Sequence, residues 1–258
     1  MKRVSKGAIP RKLTENEKFI RGIPIPEVTK SYQPLSHGQQ IDILLEEGKM
    51  NGFELVSDPH IQWCKRGQVY AGTFDFNHPD VKDKDMGIRV IEMNSYNKKH
   101  TAKIATGSNV FICCNGMLVG DFILARKHTP GNLKNNGVVA DFKNMVTKAL
   151  VRSLSSFEEL VDEKNRMKSV QFDEQASAWL VDRLFFEEEI INATQFQFLK
   201  QEMYLSKNFA VGPKGLITLW DFYNNVTETL KSTRANLMAD RHMELHEYTM
   251  NNLVDYKF

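Results

Sequence analysis

Cysteine is scarce in this chain: Cys64, Cys113 and Cys114 are the three among 258 residues. So few exclude a disulfide-stapled scaffold and fit a reducing compartment. Adjacent Cys113 and Cys114 would point to opposite faces of any strand that held them, so they do not share a metal, and all three read as small buried hydrophobes. Long apolar runs are also absent. None approaches the roughly 18–20 residues of a membrane span, and no apolar segment follows the charged N-terminus to make a secretory signal. A cytoplasmic protein with no membrane partner is expected. The sequons at Asn192-Ala193-Thr194 and Asn225-Val226-Thr227 carry no meaning without such a signal.

Familiar catalytic signatures are missing too. Val211-Gly212-Pro213-Lys214-Gly215 lacks the Gly/Lys/Ser-Thr spacing of a Walker A loop, and there is neither a Rossmann glycine fingerprint nor a Gly-x-Ser-x-Gly elbow. Asp80, Asp83 and Asp85 have the wrong spacing for a calcium loop, have no closing acid and are interleaved with lysines, so they read as a solvated loop. His242 and His246 share a helix face at zinc-compatible spacing. Met243, however, stands where a metalloprotease motif needs Glu, and the pair reads as an exposed polar face. His100 and His128 have no evident acid or nucleophile partner, and positive surroundings would favour their neutral form. No acid cluster offers itself to magnesium. No catalytic residue, metal or cofactor is expected, and the protein reads as a non-enzyme.

What is present is a hydrophobic content of 41%, enough for a core, and charge that is unevenly spread. Residues 1–30 hold eight Lys/Arg against three acids, residues 31–140 twelve against eleven, and residues 141–258 fourteen against eighteen. A basic leading end with an acidic far half points to an anionic partner at one end of the molecule. Within residues 94–134, Lys98, Lys99, Lys103, Arg126, Lys127 and Lys134 face a single acid, Asp121. This stretch also has strand character. Thr101–Thr106 and Asn109–Cys114 read as strands separated by Gly107-Ser108. Met117–Ala125 follows Asn115-Gly116, whose tolerance of positive φ predicts a type I′ hairpin turn. Tyr96, Phe111 and Phe122 are interleaved with the cations. Cations that track phosphates beside aromatics that stack on bases suit single-strand binding.

Residues 1–34 read as a basic, proline-interrupted arm with one short helix: Thr14 as N-cap, Glu17 completing the box, Gly22 after its end. Ser36 and Gln39 open a helix with Ile41, Leu44 and Leu45 on one side, ending by Asn51-Gly52. Short strands follow at Phe53–Ser57, Ile61–Lys65, Gln68–Asn77 and Ile88–Met93, with Phe74 and Phe76 on one face. Trp63 and Tyr70, either side of Arg66-Gly67, read as core, with a stacking platform as the alternative. Beyond Gly137 the pattern is helical: Val139–Ser169, broken near Ser155-Ser156, then Asp173–Ser206 and Thr218–Asn251. On the last, Trp220, Tyr223 and Val226 share a buried face. The expectation is an α+β fold, with an antiparallel sheet over residues 35–138 and helices over 139–258 packing on it as one compact unit.

Asn94-Ser95-Tyr96, Val110-Phe111-Ile112-Cys113-Cys114-Asn115-Gly116, Arg126-Lys127-His128-Thr129 and Thr218–Glu228, with its Trp-Asp-Phe-Tyr-Asn-Asn-Val-Thr-Glu run, resemble the motifs of the phage- and plasmid-borne family called domain of unknown function 932. The resemblance covers roughly residues 35–250. It implies a phage or mobile-element setting in a host cell and carries over no catalytic residue. The order of elements is also similar in pattern to Rad52-like single-strand annealing proteins, and fold order does not fix function. The expected function is nucleic-acid binding, with single-stranded DNA favoured, as an annealing protein or recombination accessory. The expected binding residues are Tyr96, Lys98, Lys99, Lys103, Arg126, Lys127 and His128, and homo-oligomerisation is compatible with this role. The alternative is a protein-interaction module that binds and inhibits a host enzyme or defence factor.

Overall fold

The computed structural model describes residues 12–110, 115–129, 137–212 and 215–258, without the side chains of 115, 116 and 118–123. The first helix, α1 (Glu15–Arg21), is capped by Thr14, whose hydroxyl accepts from the Glu17 amide. Glu17 does not complete a box. It is buried and pairs with Arg21, which also reaches Asp42 at 2.7 Å. Residues 12–35 therefore lie against the body. Asn16 donates to the Ile61 carbonyl, and Phe19 packs on Trp63. The cations at 2, 3, 6 and 11 lie outside the described residues.

Helix α2 (His37–Met50) opens on the expected reciprocal box between Ser36 and Gln39 and closes at Asn51. Strands β1 (Glu54–Leu55), β2 (His60–Cys64), β3 (Val69–Asn77), β4 (Met86–Ser95), β5 (Ala102–Val110) and β6 (Asn115–Arg126) form one antiparallel sheet. Its order is β1-β3-β4-β5-β6, with β2 beside β1 on the outer side of β3. The fold is α+β as expected.

Two details of the central hairpin differ from the sequence reading. Thr101–Thr106 and Asn109–Cys114 are not separate strands. β5 runs through Gly107-Ser108, which pair with Leu118 and Met117; the register shifts between Ala105 and Gly107, where the extra residues lie on β6, a bulge rather than a turn. Asn115 and Gly116 pair with Val110 and Asn109, so they are strand residues and not the central pair of a type I′ turn. Residues 111–114, between the two strands, lie outside the described residues, and with them Phe111, Cys113 and Cys114.

Period-two alternation gives the sheet two unequal faces. Tyr70, Phe74, Phe76, Met86, Ile88, Val90 and Ile104 point into the main core. Ala71, Ile91, Met93 and Ala105 point the other way, into a small core closed by Ala235, Met238, Ala239 and Met243. The helical half comprises α3 (Gly137–Ser155), α4 (Phe157–Ser169), α5 (Glu174–Asp182), α6 (Ala193–Leu205), α7 (Leu219–Leu230) and α8 (Met238–Tyr248). A small pair, β7 (Gln171–Asp173) and β8 (Leu216–Thr218), flanks α5 and α7.

The break near Ser156 is where the sequence places it. The other two long helices are each divided. Asn192 caps α6 in a reciprocal box with Gln195, and Gln195 in turn holds Ser232 and Thr233 in the link between α7 and α8. Trp220, Tyr223 and Val226 are buried together, as their spacing predicts. His242 and His246 are buried rather than exposed. His246 sits 3.2 Å from Glu163 on α4 and against the Tyr223 ring. The Asp80–Asp85 loop is not merely solvated, since Asp83 and Asp85 hold the buried ammonium of Lys164 at 2.7 and 3.6 Å. No helix among the described residues is long and apolar enough to cross a membrane.

Candidate functional site

Register gathers the cations. Cys64 pairs with Val69, Val69 with Ser95, and Ala102 with Arg126. The β2–β3 turn, the β4–β5 loop and the segment after β6 therefore lie at one end of the sheet. That end carries Lys65 and Arg66 from the first, Lys98, Lys99 and His100 from the second, and Lys127 and His128 from the third.

The three segments are braced by buried polar contacts. His37, at the start of α2, stacks on the Tyr96 ring at 3.8 Å and meets Tyr70 edge-on at 4.7 Å. Its Nε2–H donates to the Gly67 carbonyl at 2.9 Å, and its Nδ1 accepts from the Asn94 amide at 3.0 Å. Burial lowers the His37 pKa to about 4, so the ring is neutral and holds this tautomer at neutral pH. Asn94 also donates to the Leu35 carbonyl. The Asn97 side chain accepts from the Lys99 amide in a local turn. Lys98 sits in the left-handed region, with φ of 60°, and its ammonium lies 4.7 Å over the Tyr32 ring.

In the β2–β3 turn Lys65, Arg66 and Gly67 are all left-handed, with φ of 51°, 58° and 80°. Only glycine fits at 67, because a Cβ there would come within 2.8 Å of Ile23. Two non-glycine residues held in this region store strain that the surrounding contacts must offset.

Between the loop and the segment after β6 lies a recess of about 350 Å³, lined by Tyr32, Lys98, Lys99, His100, Lys127 and His128 among others. Among the described residues Lys65, Arg66, Lys98, Lys99 and Lys127 make no ion pair. Burial, then Lys65 and Lys103, lower the His100 pKa. Burial and Arg126 lower that of His128. Both imidazoles are therefore neutral at pH 7, and the unpaired charge of the site belongs to the lysines and Arg66.

The residues expected from sequence divide on this geometry. Lys98, Lys99 and Lys127 are free and come together. Lys103 projects to the opposite sheet face and pairs with Asp240 at 2.7 Å. Arg126 lies 3.7 Å from Asp141 and donates to the carbonyls of Lys127 and Thr129, so it fixes its own segment. Tyr96 is 6% exposed, its ring is covered by His37 and its hydroxyl accepts from the His37 amide at 2.8 Å. Burial pushes its pKa up to about 12. It supports the loop and offers no free ring face. His128 is buried beneath the recess against Tyr32. Lys65 and Arg66 are additions that sequence reading passed over as an ordinary turn. The Phe122 side chain and Lys134 lie outside the described residues. Among those residues there is no group of three or more His, Cys, Asp or Glu able to hold a metal ion.

A family model described as Domain of unknown function (DUF932) matches residues 26–251. No match is found among curated proteins or solved structures, and the likeness in pattern to Rad52-like proteins gains no support from them.

Proposed function

For a chain that belongs to the DUF932 family, we propose a nucleic-acid-binding role in which phosphates lie along the basic end of the sheet. The carrying observation is that five cations with no internal acid partner, Lys65, Arg66, Lys98, Lys99 and Lys127, meet at that one end from three separate segments. Several other described cations answer carboxylates, as Arg89 does Asp75, Lys103 does Asp240 and Lys164 does Asp83. All five are exposed, so their charges stand open to an incoming polyanion. The phage and mobile-element setting implied by the family motifs is consistent with a DNA-handling accessory, working on DNA in the host cytoplasm without a cofactor.

The test is binding of labelled oligonucleotides across a salt series. If all five cations meet phosphates, the log–log slope for a single strand is about −3.5, from about −0.7 per phosphate neutralised. Replacing Lys98, Lys99 and Lys127 together by Ala flattens it by about 2. Far-UV circular dichroism stays unchanged, because all three side chains lie outside the core. The loss is the same for every base sequence, since phosphate contacts do not read bases. No binding to DNA or RNA at low salt refutes the proposal and favours the alternative, a docking face for an acidic host protein.

A further inference from the structure

A second and larger cavity, about 860 Å³, opens along the outer side of β2. Trp63 on β2, Phe198 on α6, Ile61 and Ala235 all line it. Trp63 and Phe198 remain 43% and 41% exposed, and Phe19, 41% exposed, packs against Trp63 with ring centroids 4.6 Å apart. The sequence reading favoured the core for Trp63 over a stacking platform. Tyr70, directly across the ladder, is buried, but Trp63 sits on the outermost strand, where no further strand covers it. Scattered exposed aromatics are ordinary. Two on one opening, with a third packed against Trp63, are not scattered. Arg234 lines the same cavity, is exposed, and makes no ion pair among the described residues.

The cavity borders the basic end of the sheet. Cys64 lines it, and the next residue is Lys65, whose charge acts on His100 in the recess. The turn bearing Lys65 and Arg66 thus stands between a cationic recess and an aromatic-walled cavity. A duplex keeps its bases stacked on one another and presents only phosphates to such a surface. A single strand presents phosphates on one side and free base faces on the other, and matches both halves.

We infer that the cavity takes the bases of single-stranded DNA, stacked on Trp63 and Phe198, while its backbone crosses Lys65 and Arg66 toward the recess. This deepens the phosphate-binding role and rests on it. Arg234 meets the strand at the far side as a further phosphate or base-plane contact. Stacking on aromatics tolerates any base, so the cavity favours single strands over duplexes without selecting sequence.

The full chain is tested against a labelled oligo-dT and a duplex of equal length, with Trp63→Ala, Trp63→Phe and Phe198→Ala. Trp63→Ala is expected to weaken oligo-dT binding about tenfold or more. The salt slope and the duplex affinity stay as in the parent protein, and Trp63→Phe retains most of the affinity. Oligo-dT quenches tryptophan fluorescence in the parent chain and much less in Trp63→Phe, which keeps Trp179 and Trp220. Phe198→Ala, on a different element, carries the same expectation should Trp63→Ala loosen α1. If Trp63→Ala and Phe198→Ala both bind oligo-dT as the parent does, while the triple lysine variant still flattens the slope, the base-stacking inference falls and the phosphate site stands. If the parent chain binds no nucleic acid at low salt, both fall.

Discussion

Glu92 lies in the middle of β4 and faces the main core, with no exposed surface and no hydrogen bond to either carboxylate oxygen. The Tyr70 hydroxyl interacts with it without reaching hydrogen-bonding geometry. Burial drives its pKa up from the ordinary 4.5 to about 8, with Tyr70 and Arg21 opposing and Asp42 adding to the rise. The folded protein therefore keeps a proton that the unfolded chain releases near pH 4.5. The stability contributed by that proton is complete below about pH 4.5 and lost as pH rises to about 8, at about 1.36 kcal/mol per unit. Over the whole window the loss is about 5 kcal/mol, a large share of the stability of any domain. Glu92→Gln has the shape of the protonated acid and cannot ionise. Whatever fixed cost the amide carries, its stability relative to the parent grows by about 4 kcal/mol between pH 5 and pH 9 and is level above that. Chemical denaturation of both proteins at pH 5, 7 and 9 measures this directly, and groups that titrate alike in the two cancel in the difference. A difference that does not change with pH refutes the argument and means that Glu92 is ionised and compensated in the core.

Two further outcomes test the helical half. Trp220→Ala empties a buried site against Tyr223 and costs about 3–5 kcal/mol, a fall in Tm of about 6–20 °C for a chain of this size; unchanged melting disproves its structural role. Asn192→Ala removes the cap of α6 and costs about 1 kcal/mol by denaturant titration, whereas Asn192→Asp retains the cap and the stability.

Much of the fold was legible because local and global signals agreed. At α2 the Ser36/Gln39 box, the apolar stripe and Asn51 all mark the same boundaries. The Phe74/Phe76 alternation fixes the inward face of β3. The failures lie where a signal was outweighed. The Asn192…Gln195 box was written in the sequence but overrun by a continuous apolar pattern. The division between α7 and α8 has no proline or glycine at Lys231-Ser232-Thr233-Arg234 and is held by tertiary bonds from Gln195. At Asn115-Gly116 turn propensity was real, but both residues pair in the ladder, with Val110 and Asn109. In the site, one-sided charge found Lys98, Lys99 and Lys127. It could not show that Lys103 is answered by Asp240, 137 positions later, nor that Lys65 and Arg66 return to the same end of the sheet. The first belongs to the packing of α8 on the sheet and the second to pairing across strands, and sequence spacing encodes neither. Tyr96 was misjudged because burial depends on what covers a ring, here a histidine 59 positions earlier.

His37 touches both basic turns at once, through the Gly67 carbonyl and the face of Tyr96. The distance between the two groups of cations is thereby set while the chain folds, before any partner arrives. Loops that carry a binding surface usually lose freedom when they engage, and that loss weakens the complex. Here the ordering is already complete, so the free energy of each contact goes into affinity rather than into immobilising the chain. A stiff array of charges also acts as a ruler: an anion whose charges repeat at another interval meets some of them and misses the rest. If the basic end binds a polyanion as proposed, selectivity between polyanions arises from spacing, with no contact to any group that distinguishes one monomer from the next.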